Sequence, residues 1–442
     1  MTVSARGDVP RELAVLLDGV PVATLYPRVS GATYTLVYDE AWRTNPDAYP
    51  VSLSLPLASP AHEGPVVRHY LRGLIPDNPA RLQEISHRYR VSPDDPYAVL
   101  SHIGEDCAGA VQFVRPERVA ELTTVARAGV EWLGEDELAH LLAEISHRSA
   151  PEHRAIETGR FSLPGALGKV ALVWDRETRR WGRPSGRAAS THILKPPLAG
   201  VRHHNENEHF CLELARQLEF RAASSRVLRI GDQSAICVER YDRARRGSRV
   251  VRLHQEDVSQ ALGADPLLRY AGEGAPGIRE IVELLRDHAR STDVESFMRA
   301  VALNWIIAGT DAHSRNYSVL IKPGGTVELA PLYDLASALG FEEVNRPVEE
   351  LVLAMAIGGH ARIADIDAAA WRREIKAIRA RPGRILPMLV DLAERIPDAA
   401  RAVAERAAAE GVDEAFLVRM RDAIVRRAAQ CADELRHALH AP

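Results

Sequence analysis

Two acids and one amide, Asp311, Asn316 and Asp334, sit at the ends of a helix–strand–strand pattern, and this pattern constrains the fold more than any other stretch of the chain. LNWIIAGT reads as the end of a buried helix and TDAHSRNYS as a loop. YSVLI and TVELAPL read as two strands, and YDLASA follows them. Short apolar runs bounded by Gly, Asp and Pro mark buried elements with turns between them. Polar side chains placed where such elements end can point into a cleft. Two carboxylates and a neutral amide oxygen are also the ligand types that a hard divalent cation takes. An Asx-turn or a helix cap would use the same residue types at each position.

Asp311 and Asn316 are separated by four residues, the spacing of a protein-kinase catalytic loop, and Asp334 falls where a later metal-binding Asp would lie. Phosphoryl transfer needs one carboxylate to orient the proton of the nucleophile. It also needs an amide oxygen and a second carboxylate for Mg2+. Lysine usage points the same way. Only four of the 56 basic side chains are lysines: Lys169, Lys195, Lys322 and Lys376. A chain that uses Arg almost everywhere keeps Lys where a compact point charge has to fit beside phosphate. Lys322 (KPGG) and Lys376 read as surface positions. Lys195, on the predicted strand THILKPP, and Lys169, ending SLPGALGK, are candidates for nucleotide contact.

The length of 442 residues suggests two or three domains, and 46% hydrophobic with 26% charged residues is ordinary for a soluble globular protein. A net charge of −4 argues against a large basic nucleic-acid face on this chain alone. Cys107, Cys211, Cys237 and Cys431 are far apart, without zinc spacing, and read as reduced buried thiols. Seventeen histidines are scattered, and His203, His204 and His360 lack a convincing ligand set. There is no apolar signal region and no apolar run of about 18 residues, which points to a soluble cytoplasmic protein.

The expected organisation has three parts. Residues 1–118 begin with strands, including a hairpin at Asp18-Gly19, a strand-like VSLSLPL, and then helices. Residues 119–245 hold one amphipathic helix, EDELAHLLAEI, a linker SHRSAPEHRAIETGR, and a β-rich small lobe. Residues 246–442 are mainly helical. The fold class expected is α+β, a two-lobed kinase-like fold with a β-rich N-terminal subdomain.

GRFSLPGALGKVALVW reads as strand, glycine turn, strand. Gly165 would let backbone amides approach phosphate ahead of Lys169, although a plain hairpin looks the same. Glu208, at the start of the next helix, is placed to pair with Lys195, or to favour the helix N-terminus. CVERYDR would be the hinge, with backbone from Glu239 to Tyr241 at the adenine and Asp242 on a ribose hydroxyl. His254 and Gln255, with Glu256 and Asp257, form either a cluster facing the cleft or a capping group at the start of a helix.

Taken together, these segments resemble the HipA-type toxin kinases of bacterial toxin–antitoxin modules over nearly the whole length. SLSLPL, LRGLIPDNPARL and IGEDCAGAVQF are similar to that family's N-terminal domain. FSLPGALGK is similar to its phosphate loop, and NEHFCLELA, VERYDR and RLHQED to its core segments. TDAHSRNYS and LAPLYDLASA are similar to its catalytic and metal segments. The resemblance implies a Ser/Thr protein kinase using ATP and Mg2+, with Asp311 catalytic, Asn316 and Asp334 on the metal, and Lys195 on the phosphates. It also implies a regulatory, self-phosphorylated Ser162, a small HipB-like helix-turn-helix antitoxin that binds operator DNA, and an aminoacyl-tRNA synthetase as the type of target. Leu167 replaces a Gln common in the loop, and Arg315 stands where Lys is common. A catalytically idle co-repressor and a small-molecule kinase are the other readings.

Overall fold

The computed structural model describes residues 9–27, 33–124, 128–147, 162–165, 167–198, 200–247, 249–341 and 347–440. The chain opens with β1 (Leu13–Leu17), β2 (Val20–Pro27), β3 (Tyr34–Tyr38), the short α1 (Glu40–Arg43) and β4 (Ala61–Glu63). Asp18 and Gly19 both take positive φ, 45° and 80°, as a two-residue hairpin turn requires. Three helices follow, α2 (Pro65–Leu74), α3 (Pro79–Tyr89) and α4 (Pro96–Ile103), each with Pro in its first turn. β5 (Val111–Val114) then closes an antiparallel sheet of order β4-β3-β2-β1-β5. Apolar side chains from that sheet and from α2 to α4 form one core.

VSLSLPL, expected as a strand, instead runs through turns. Its polar groups bond elsewhere: Leu53 N–H donates to Glu256 and Ser54 Oγ to the Gln260 carbonyl, both far along the chain. Alternating apolar residues in that segment pack a domain junction and not a sheet.

The small lobe follows α5 (Val119–Thr123). It contains β6 (Ala128–Trp132), α6 (Glu135–His147), β7 (Val170–Asp175), β8 (Arg180–Gly186), β9 (His192–Lys195), α7 (His204–Gln217), β10 (Ser225–Ile230) and β11 (Gln233–Glu239). Its six-stranded sheet has the order β10-β11-β9-β7-β8-β6. Leu138, Leu141 and Leu142 of α6 join Leu172 and Leu194 in its core. Most of the expected linker lies outside the described residues. Residues 162–165 and 167–169 carry no strand and lead into β7, and the start of the strand expected ahead of Gly165 lies outside the described residues.

A hairpin of β12 (Arg243–Arg246) and β13 (Arg249–Arg252) leads to β14 (His254–Asp257), which the sequence pattern had suggested as a helix start. The helix α8 (Val258–Ala261) begins only after it, capped by Asp257. The large lobe adds α9 (Ile278–His288), α10 (Ser291–Ile306), β15 (Ser318–Ile321), β16 (Val327–Leu329), β17 (Val352–Ile357) and β18 (His360–Arg362). It ends with α11 (Ala368–Ala377), α12 (Pro382–Ala409) and α13 (Glu414–His440), the last two packed along each other. β14, β15 and β16 make one small sheet that carries the loops of Asp311, Asn316 and Asp334.

Candidate active site

A cleft of about 550 Å³ lies between the lobes and collects residues from each of the predicted segments. α10 ends near Ile306, and the chain turns through Thr310–Asn316 into β15, placing Asp311 at the cleft with its side chain 68% exposed. The Asn316 amide nitrogen donates to the Asp311 carbonyl at 2.7 Å, which turns the side-chain oxygen away from that carbonyl. Asp334 follows β16 at φ 53°, a left-handed conformation uncommon for a residue with a Cβ and frequent at functional turns.

Lys195, the last residue of β9, is buried between two acids. Its Nζ lies 2.8 Å from Glu208 Oε1 on α7 and 2.6 Å from Asp334 Oδ1. Burial opposes the charge on this lysine, but the two carboxylates outweigh it and its pKa is raised. The Lys195 ammonium in turn holds the Asp334 carboxyl well below the usual carboxylate range. Asp311 is shifted the other way: partial desolvation by the cleft walls raises its proton affinity although the side chain stays open to solvent, His313 counters this in part, and the neighbouring Asp334 raises it again. The site thus contains one acid held ionised and one with a raised proton affinity, a separation typical of acid–base sites.

Lys169 donates to the Pro164 carbonyl at 2.6 Å. Burial, and then the nearby Lys195, lower its pKa to about 8. Gly165 has φ 114°, a backbone conformation that favours glycine, and a Cβ there would meet the flexible end of the Lys169 side chain. Ser162 is fully buried; its hydroxyl donates to the Leu74 carbonyl at 2.8 Å and its amide to the Asp106 carbonyl at 3.0 Å.

Other expectations need correction. Asp242 borders the cleft but is not available to a ribose. Its oxygens accept from Gly109 N–H at 2.7 Å, from Arg240 at 2.7 and 3.0 Å, and face Arg243 at 3.0 Å. Glu239 points its carboxylate at Arg176, and the amides of Glu239 and Arg240 already bond Ser224 and Thr191. The Tyr241 hydroxyl bonds Gln255, and both line the cleft. His254 does not face the cleft. It is buried against Tyr49 and bonded to the Val51 carbonyl, and burial lowers its pKa to about 4.

Sequence reasoning missed Asp77 and Arg269, which also line the cleft, and Tyr270, whose hydroxyl is 3.5 Å from Asp311 Oδ1. Arg315, noted only as a departure, is buried and paired with Asp77 at 2.9 Å. Among the described residues no group of three His, Cys, Asp or Glu side chains could hold a metal. A set containing an amide oxygen falls outside that grouping, and Asn316 with Asp334 is such a set.

A β-rich small lobe, a helical large lobe, a Lys–Glu pair and an Asp-x4-Asn loop between them define a kinase-like fold and cleft. Residues 13–114 match the family model of the HipA N-terminal domain, and residues 161–409 match that of the HipA-like C-terminal domain. The chain belongs to the HipA family of toxin kinases. A Sinorhizobium fredii protein named "Putative kinase Y4mE" is 32% identical over 396 residues, 88% of this chain and 91% of that protein. The serine/threonine-protein kinase toxin HipA of Shewanella oneidensis is 27% identical over 345 residues, 74% of this chain and 73% of the toxin. The solved complex of Shewanella oneidensis HipA with HipB and operator DNA has a chain of the same fold. Its TM-score is 0.81 at 23% identity, covering 97% of this chain and 100% of that one.

Proposed function

We propose that this chain is an ATP- and Mg2+-dependent serine/threonine protein kinase and the toxin of a HipBA-like module. It phosphorylates a translation protein such as an aminoacyl-tRNA synthetase. A HipB-like helix-turn-helix antitoxin binds it and connects it to operator DNA. The observation that carries the reading is Lys195 held between Glu208 and Asp334 beside the Asp311 loop. No helix among the described residues is long and apolar enough to cross a membrane, and a cytoplasmic location fits a target in translation.

In the proposed reaction the hydroxyl oxygen of a substrate Ser or Thr bonds to the γ-phosphorus of ATP. The bond from that phosphorus to the bridging oxygen breaks, and ADP leaves. Asp311 orients the hydroxyl and accepts its proton, a role suited to its exposed position and raised proton affinity. Lys195 supplies a fixed positive charge to the phosphates, and Glu208 keeps it in place. Lys169 and the backbone near Gly165 face the same space. Asn316 and Asp334 offer the hard oxygen pair that would hold Mg2+, which when bound neutralises phosphate charge.

Self-inhibition follows from Ser162. A phosphate there adds nearly two negative charges at a buried position against the Leu74 carbonyl, so the modified loop has to leave its seat. Mass spectrometry after incubation with ATP and Mg2+, beside an Asp311→Asn control, tests the proposal. Phosphate on Ser162 that is absent from the control is expected. A folded protein that consumes no ATP and gains no phosphate would shift the reading to a co-repressor.

A further inference from the structure

The two family modules meet at one carboxylate. Asp77 lies between α2 and α3, inside the N-terminal module, yet its side chain reaches the cleft formed by the other module. It is 8% exposed and has three partners beyond its own domain. Oδ2 accepts the Gly165 amide at 2.9 Å and pairs with Arg269 at 3.0 Å. Oδ1 accepts from Arg315 NH1 at 3.0 Å. The Asp77 amide returns a bond to the Gly165 carbonyl at 3.2 Å, so this one residue grips Gly165 on both sides.

Arg315 sits in the loop between Asp311 and Asn316, 4% exposed, with its carbonyl held by the Tyr333 hydroxyl at 2.8 Å. It is therefore a fixed anchor. The other described ties of the Gly165 loop point the same way. Ser162 bonds the Leu74 and Asp106 carbonyls, both in the N-terminal module. The loop that begins the C-terminal module is thus seated on the N-terminal one, and a buried carboxylate with charged partners is its strongest attachment.

We propose that Asp77 is a positioning residue of the nucleotide cleft, contributed by the N-terminal module. It holds the Gly165 loop in register with the Asp311–Asn316 loop through Arg315. This rests on the nucleotide-binding reading above. Without the carboxylate charge, Gly165 keeps firmly only the bond from the Asp77 amide to its carbonyl, and the Pro164 carbonyl and the Lys169 amine bonded to it gain freedom together. Nucleotide affinity should then fall while the step at Asp311 is preserved.

The test is Asp77→Asn in the full-length protein, read in two ways. The first is the Kd for ATP with the split between KM and kcat. The second, without nucleotide, is amide exchange at Ser162 and Gly165. The expected result is an ATP Kd raised about tenfold, the ratio that about 1.4 kcal/mol of coupling produces. Exchange at both amides should be faster, kcat should change by less than about threefold, and exchange in β1 to β5 should be unchanged. Asp77→Glu should recover most of the affinity. If Asp77→Asn does not fold, Arg269→Gln should show the faster exchange at Gly165 and the raised ATP Kd, both more weakly. Unchanged exchange at Gly165 together with unchanged ATP affinity overturns the proposal. A wild-type protein that binds no ATP would defeat the nucleotide reading instead, and amide exchange alone would then decide whether Asp77 holds the loop.

Discussion

Asp242 and Asp334 are both acids beside strong cations at the walls of one cleft, yet they sit in networks of opposite character. Around Asp242 the network is closed. Arg240, Arg243 and Arg252 share Asp106 and Asp242, and the spare guanidinium hydrogens go to the Cys107, Arg187 and Ala188 carbonyls. That group ties β5's approach loop to the end of β11 and the β12–β13 hairpin. Around Asp334 the network is open, with Lys195 on one oxygen and a side chain that stays 35% exposed at the cleft. A closed network holds domains together, whereas an open one keeps charge available to a ligand. The pairing geometry, and not the residue type, separates the two roles.

The largest effect should come at Asp311, beside the open network. Asp311→Asn should lower phosphoryl transfer by about 10²–10⁴-fold, the usual worth of a general base, with the melting temperature unchanged. A variant that loses stability in parallel with activity would blur the comparison. Next is the closed network: Asp106→Ala leaves buried arginines without their counter-charge and should cost about 3–5 kcal/mol in urea unfolding. A loss under about 1 kcal/mol would show that the arginines find other partners.

A third prediction concerns pH. Burial raises the Glu256 carboxyl to about 8 from 4.5, while Leu53 N–H partly opposes the rise. Between those values the folded chain binds more protons than the unfolded one, so this group's stabilising effect is present at low pH and is lost as pH rises toward 8. Glu256→Gln should flatten the stability profile by up to about 1.4 kcal/mol per pH unit and gain most on the alkaline side. Parallel thermal denaturation at acid and alkaline pH checks this, and identical slopes would contradict it. The smallest effect is expected at the exposed pair of Arg176 and Glu239, where Arg176→Ala should move the melting temperature by no more than about 2 °C.

Much of the site was legible in the sequence because its chemistry is local. Asp311 and Asn316 share one loop, and Asp334 follows one hairpin. The Lys195–Glu208 pair was readable because a strand end and the next helix start must adjoin. Asp242 was misread as a ligand although its closing partners, Arg240 and Arg243, stand two residues before it and one after. His254 was misplaced because the strand it belongs to pairs with β15, a partner 60-odd residues away in sequence terms. Asp77 left no local signal at all. IPDNP reads as a turn and a cap, and its partners Gly165 and Arg315 are 88 and 238 residues distant. Side-chain bonds across modules impose no periodicity, so only the assembled fold exposes them. VSLSLPL failed for the same reason, since its alternation served a junction.

The scarcity of lysine has a practical consequence for labelling chemistry. Only four side chains offer a primary amine. Lys322 and Lys376 are exposed, whereas Lys169 and Lys195 line the cleft. Lys195 is locked as an ammonium by two carboxylates, but Lys169, with a pKa of about 8, is half neutral in mildly alkaline buffer. An acylating reagent therefore meets very few competing amines, and occupancy of the cleft can be followed as protection of a single residue.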